Sequence, residues 1–166
     1  MVTKTVAFVL ALVLAPAAAA APRAARADLR LLASINLVRA GNGLPPLHLS
    51  SGLSRAAALH DVQMSQAGYF GHESPGGAPF WSRIMPRYRP ASGHRWVVGE
   101  NIAWNSAAMS ATATVALWMG SPEHRANLLD PRWHDVGIAV VRVESAPGVF
   151  GAGPATIVTV DFGARS

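Results

Sequence analysis

An α+β domain is what the order of patterns along this chain predicts, with helical periodicity first and the clearest strands last. Two observations carry this expectation. Leu53, Ala56, Ala57, His60 and Met64 recur at helical spacing and define an apolar stripe in the first half. Near the C-terminus, "DVGIAVVRV" (135–143) is apolar on both faces, and "ATIVTVDFG" (155–163) alternates, with Val158, Val160 and Phe162 on one side.

The elements follow in order. Residues 1–27 have the layout of a secretory signal peptide: Lys4, an apolar run from Val6 to Ala21, then small residues up to Ala25-Arg26-Ala27. The run is short and broken at Pro16, which argues against a retained membrane span. Cleavage before Asp28 leaves 28–166 as one domain of 139 residues, enough for a single core. Asp28 is placed to cap a helix with Leu31, Leu32, Ile35 and Val38 on one face, ended by Gly41-Asn42-Gly43. "LPPLHLS" (44–50) reads as an extended connector, because paired prolines resist helix. The second helix spans about Ser51 to Ala67, stopped by Gly68, and "YFGHESPGG" is an ordered turn. A short helix begins at Pro79 with Phe80, Trp81 and Ile84 inward, and 87–95 is a surface loop rich in Pro, Gly and Arg. A short strand is possible at Trp96 to Val98, and a helix is expected from Ser106 to Met119. Ser121 and Pro122 then suit the N-cap and first position of a helix through Leu129.

Composition excludes several functions. Without its leader the chain has no lysine, and eleven arginines against nine acids leave a net charge of +2. No basic run interleaved with aromatics is present, so nucleic acid is not an expected partner. The absence of cysteine removes thiol nucleophiles, cysteine-held zinc and disulfides, so an exported chain must rely on its core. No H-E-x-x-H, G-x-S-x-G or phosphate-binding glycine loop occurs.

The polar candidates are few. His72 follows two aromatics in a loop, and either points into a pocket or bonds a nearby carbonyl. Glu100, between Gly99 and Asn101, is either solvent-facing in a turn or buried with a partner, since an unpaired buried charge is costly. A histidine partner would keep it ionised and orient the ring. His124 falls at the third position of its helix, where the positive helix end favours the neutral imidazole that a metal or a general base requires. Glu123 reads as a helix-start acid, Arg125 as a surface residue and His60 as a core histidine, while His48, His94 and His134 receive no role.

"INLVRAGNGLPPLHLSSGLSRAAALHDVQMSQAGYFGHESPGG", "GENIAW", "WMGSPEHRANLLDPRWHDVGIAVV" and "VTVDFG" together resemble the bacterial, SCP-like extracellular branch of the CAP superfamily (cysteine-rich secretory, antigen 5 and pathogenesis-related 1 proteins). The likeness runs from about Leu31 to Gly163 and rests on the ordered set of motifs. It implies a three-layer α-β-α sandwich with a mainly antiparallel central sheet, secretion, and a groove lined by two histidines and two acids. By that resemblance His72 and His124 are the metal-binding histidines, for Zn²⁺ or another divalent cation, and Glu100 is the acid, a catalytic candidate. The second acid of some relatives falls at Ser121, so this chain departs from the pattern there. Three functions follow as expectations: a binding module for an extracellular lipid, peptide or cell-wall component, a metal-assisted hydrolase of peptide or cell-wall material, or a non-catalytic structural domain.

Overall fold

The computed structural model describes residues 21–92 and 95–165. The greater part of the expected leader, residues 1–20, and His94 lie outside the described residues. The first helix, α1 (Ala21–Gly41), runs through the expected cleavage point, so Asp28 sits inside it and caps nothing. Two corrections concern the connectors. The 44–50 segment contributes a two-residue strand, β1 (His48–Leu49), parallel to the later strand β3 (Asp135–Val143). The stretch around Glu100 is no turn but the middle of a ten-residue strand, β2 (Trp96–Asn105), far longer than the three residues expected.

Four strands form one sheet in the order β1-β3-β4-β2, β4 being Ala155–Arg165; only the β1–β3 pairing is parallel. The sheet is therefore mixed but mostly antiparallel, with the two strands expected near the C-terminus paired as β3 and β4. One face is covered by α2 (Ser51–Ala67) and the short α3 (Phe80–Ile84), the other by α1, α4 (Ala111–Met119) and α5 (Pro122–Leu128). This is the α-β-α sandwich. Helix α4 begins later than expected, because Ser110 rather than Ser106 caps it through Ala113 N–H.

The core follows the helical and strand periods. Leu31 and Ile35 of α1, Val115 and Trp118 of α4, and Val158, Val160 and Phe162 of β4 form one buried cluster. On the opposite face all five residues of the α2 stripe are fully buried, His60 included. Burying each large aliphatic side chain contributes about 1.5–3 kcal/mol. Glycines allow close approach where the layers meet: a side chain at Gly137 would meet the backbone of Leu53, one at Gly163 the ring of Tyr88, and one at Gly99 the indole of Trp133. Tyr88 corrects the reading of 87–95 as pure surface, for it is buried and donates to Asp135 Oδ2 at 2.6 Å. Trp81 is also corrected. It is exposed, and Arg83 turns inward in its place.

Candidate functional site

Strand β2 is an edge strand, and its alternating residues place the site. Glu100 points to the α2/α3 face, opposite Asp161 of β4, while Asn101 points to the α5 face. The outer edge is held by side chains: Asn127 Nδ2 donates to the Glu100 carbonyl at 3.1 Å, and Trp118 Nε1 donates to the Ile102 carbonyl at 3.1 Å. Asn101 Nδ2 donates to the His124 carbonyl at 3.0 Å and its Oδ1 accepts from Asn127, which ties α5 against the strand. The far end of α5 is fixed by the buried guanidinium of Arg39, whose Nη1 donates to the carbonyls of Leu128 and Asp130.

On the α2/α3 face Glu100 is buried with two partners. His72 Nδ1 lies 2.7 Å from its Oε1, and Arg83 donates to its Oε2. Arg83 also donates to the His72 carbonyl at 2.8 Å, so one guanidinium holds both the acid and the loop that carries the histidine. Burial by itself would raise the Glu100 pKa; the bond to His72 and the charge of Arg83 outweigh it and hold the carboxyl below its ordinary value. The His72 pKa is raised, mainly by its bond to Glu100, and its side chain is 47% exposed.

His124 stands across the edge. Its Nδ1 pairs with Ser121 Oγ at 2.8 Å, so Ser121 has the backbone of an N-cap but spends its hydroxyl on the histidine. The His124 pKa is lowered by burial first and then by the charge of His72, with Glu123 opposing. Among the described residues no hydrogen bond joins His124 to His72 or Glu100. Beside His124 lies a hollow of about 310 Å³ walled by Phe70, Trp104, Leu117 and Trp118. Trp104 packs edge-on against Phe150 at 5.0 Å, which stiffens that wall.

Of the remaining candidates, Glu123 and Arg125 are exposed, as are His48 and His134. His60 is a core histidine whose Nε2 faces the Gly71 carbonyl at 2.9 Å. Burial lowers its pKa to about 4. Sequence reasoning missed Arg83, Asp61 and Asp161. Both aspartates are fully buried on the Glu100 side of the sheet. An available signal was the position of Asp161 between Val160 and Phe162: with helices on both sheet faces, the off-phase residue is buried too.

An α-β-α sandwich carrying a histidine–glutamate–arginine cluster at the edge of a mostly antiparallel sheet is the class defined by this fold and site. The family model described as "CAP: Cysteine-rich secretory protein family" matches residues 32–162. The chain belongs to that family, and with it to the secreted extracellular proteins. It is 33% identical over 109 residues to the uncharacterized protein YkwD of Bacillus subtilis, covering 64% of this chain and 39% of that one. The chain thus spans about two fifths of that relative's length. Among solved structures it is similar to an extracellular protein containing an SCP domain from Bacillus anthracis, with TM-score 0.60 and 24% identity over 84% of this chain and 40% of that one. An outer surface protein of Borrelia burgdorferi superposes with TM-score 0.61 at 18% identity, over 84% of this chain and 93% of the other. These likenesses show a shared fold. No described helix is long and apolar enough to cross a membrane.

Proposed function

We propose that this chain is an extracellular binding module whose groove takes a divalent cation through His72 and His124 and an extracellular ligand in the adjoining hollow. The observation that carries this reading is the state of the two rings. Each Nδ1 is engaged, by Glu100 Oε1 in one case and Ser121 Oγ in the other, and with Nδ1–H donating in both, each Nε2 lone pair is left to bind a metal. Fixing one ring nitrogen by an outer partner is how proteins set the tautomer of a ligating histidine. Two histidine nitrogens are an incomplete donor set, so water would complete the coordination and the ion would be weakly and reversibly held. The hollow beside His124 is at the small end of ligand pockets and mostly apolar, which suits the apolar part of a lipid, peptide or cell-wall component.

Glu100 serves in this reading as the organiser of His72. It is 4% exposed, ion-paired to Arg83 and held ionised, with both oxygens occupied, so it lacks the access that a general base needs. Calorimetric titration of Zn²⁺ into the protein tests the proposal. Micromolar-range binding that disappears in the His72→Ala/His124→Ala double variant is the expected result, and equal affinity in that variant overturns it.

A further inference from the structure

We infer that Asp161 is the hidden second acid of the site: a neutral carboxylic acid that donates its O–H to the Glu100 carboxylate and so positions Glu100 on His72. Asp161 is a positioning residue in this role, because it meets the groove only through Glu100. The inference concerns the same His72–Glu100 pair as the proposed function, but its test involves no metal, so either can fail alone.

The placement comes from register. Glu100 and Asp161 are directly opposed in the β2–β4 ladder and share a sheet face. The Glu100 and Ile102 carbonyls bond outward to Asn127 and Trp118, so these residues turn their backbone groups away from β4. Glu100 and Asp161 therefore form a non-hydrogen-bonded pair, the kind whose side chains lie closest, with Cα atoms about 4.5 Å apart. Both are buried, at 4% and 0% exposure.

Charge balance then decides the protonation. The groups facing this space are His60 and Asp61 from α2, Tyr69 and His72 from the following loop, Arg83 from α3, Glu100 from β2, and Thr159 and Asp161 from β4. Arg83 is the one guanidinium among them: Nη2 bonds Glu100, Nη1 bonds the His72 carbonyl, and Nε meets neither oxygen of Asp161. Asp61 accepts from Thr159 Oγ1 at 2.5 Å, whereas neither oxygen of Asp161 meets an N–H or O–H donor. An ionised Asp161 would be a desolvated, unpaired charge beside another carboxylate, a state that opposed acids avoid by holding one proton between them. The protonated form instead supplies the missing donor. Burial and the neighbouring Glu100 charge both push Asp161 well above the ordinary carboxyl range.

Side-chain carboxyl ¹³C chemical shifts, assigned residue by residue in the unmodified protein at pH 7, test this. Asp161 Cγ is expected at the carboxylic-acid position and Glu100 Cδ at the carboxylate position; a carboxylate shift for Asp161 overturns the inference. Ring ¹⁵N shifts of His72 above its pKa test the positioning. Asp161→Asn keeps a donor and should preserve the wild-type Nδ1–H tautomer, whereas Asp161→Leu should lose it to the mixture of a free imidazole. A Leu variant that keeps the wild-type tautomer, or an Asn variant that loses it, refutes the positioning role. If the Leu variant fails to fold, the Asn variant and the carboxyl shifts still decide.

Discussion

Removing Arg83 tests whether Glu100 is held by a buried charge balance or merely by packing. In Arg83→Met the volume is roughly kept, but Glu100 loses its cation, and the His72 carbonyl loses a 2.8 Å donor. Both side chains of the pair are nearly inaccessible, at 3% and 1%, so water cannot substitute for the guanidinium. Breaking one side of such a pair costs about 3–5 kcal/mol, against at most about 1 kcal/mol for an exposed pair. Glu100 can limit the loss by taking up a proton, which gives the experiment a second signature. In the wild type its folded pKa is depressed, so its contribution is present above the unfolded value of 4.5 and is lost as pH falls through the folded value. In Arg83→Met its folded pKa is raised instead. Its contribution is then fullest below the unfolded value and is lost as pH rises. Urea unfolding followed by tryptophan fluorescence at pH 5 and pH 7.5 reads both effects. The variant should lose about 3–5 kcal/mol at pH 7.5 and less at pH 5. Arg83→Met/Glu100→Leu should regain a large part, since an apolar replacement removes the orphaned charge. A loss below about 1 kcal/mol at pH 7.5 with no added pH slope would refute the charge-balance reasoning.

Three other expectations are simpler. His60 is buried neutral with a folded pKa of about 4 against 6.5, so its stabilisation is full above pH 6.5 and is withdrawn as pH falls toward 4, on the order of 3 kcal/mol in all; His60→Phe should flatten that acid limb in pH-dependent unfolding curves. Gly137→Ala would set a Cβ 2.1 Å from the Leu53 carbonyl carbon, and the helix–sheet contact must shift. Chemical denaturation should show a loss of about 3 kcal/mol or more, and a loss below about 1 kcal/mol would contradict the packing described. Ser121→Ala frees His124 Nδ1, and calorimetry should show zinc affinity reduced about tenfold or more with unfolding little changed.

The α2 stripe and the strands β3 and β4 were legible in the sequence because each element buries residues at its own period. The motif order made the family legible, and with it the sandwich. The surroundings of Glu100 were not legible, for two physical reasons. Strand β2 is covered on both faces and along its outer edge, so "WVVGENIAWN" lacks the apolar–polar alternation that announces a half-exposed strand. Arg83 belongs to a five-residue helix, too short for a pattern, in which Trp81 looked the better candidate for burial. Its role depends on a carboxylate 17 residues away that only the fold brings near.

Register is what converts these residues into a site. Along β2, Glu100 serves Arg83 and His72 on one face, and Asn101 serves His124 and Asn127 on the other. A slip of one residue would exchange the two faces, turning the carboxylate toward α5 and leaving Arg83 without an anion. Glycine at 99 opposes such a slip. A Cβ there would lie 2.9 Å from the Trp133 ring and 3.1 Å from Asn127 Oδ1, so any other residue of the strand moved into that place would collide. Trp133 cannot easily retreat, because its ring stacks on Phe162 and its Nε1 donates to the Asn127 carbonyl at 2.8 Å. Gly-Glu-Asn is thus one device read across three positions: the glycine fixes the register, the acid orients His72, and the amide ties down the helix that carries His124.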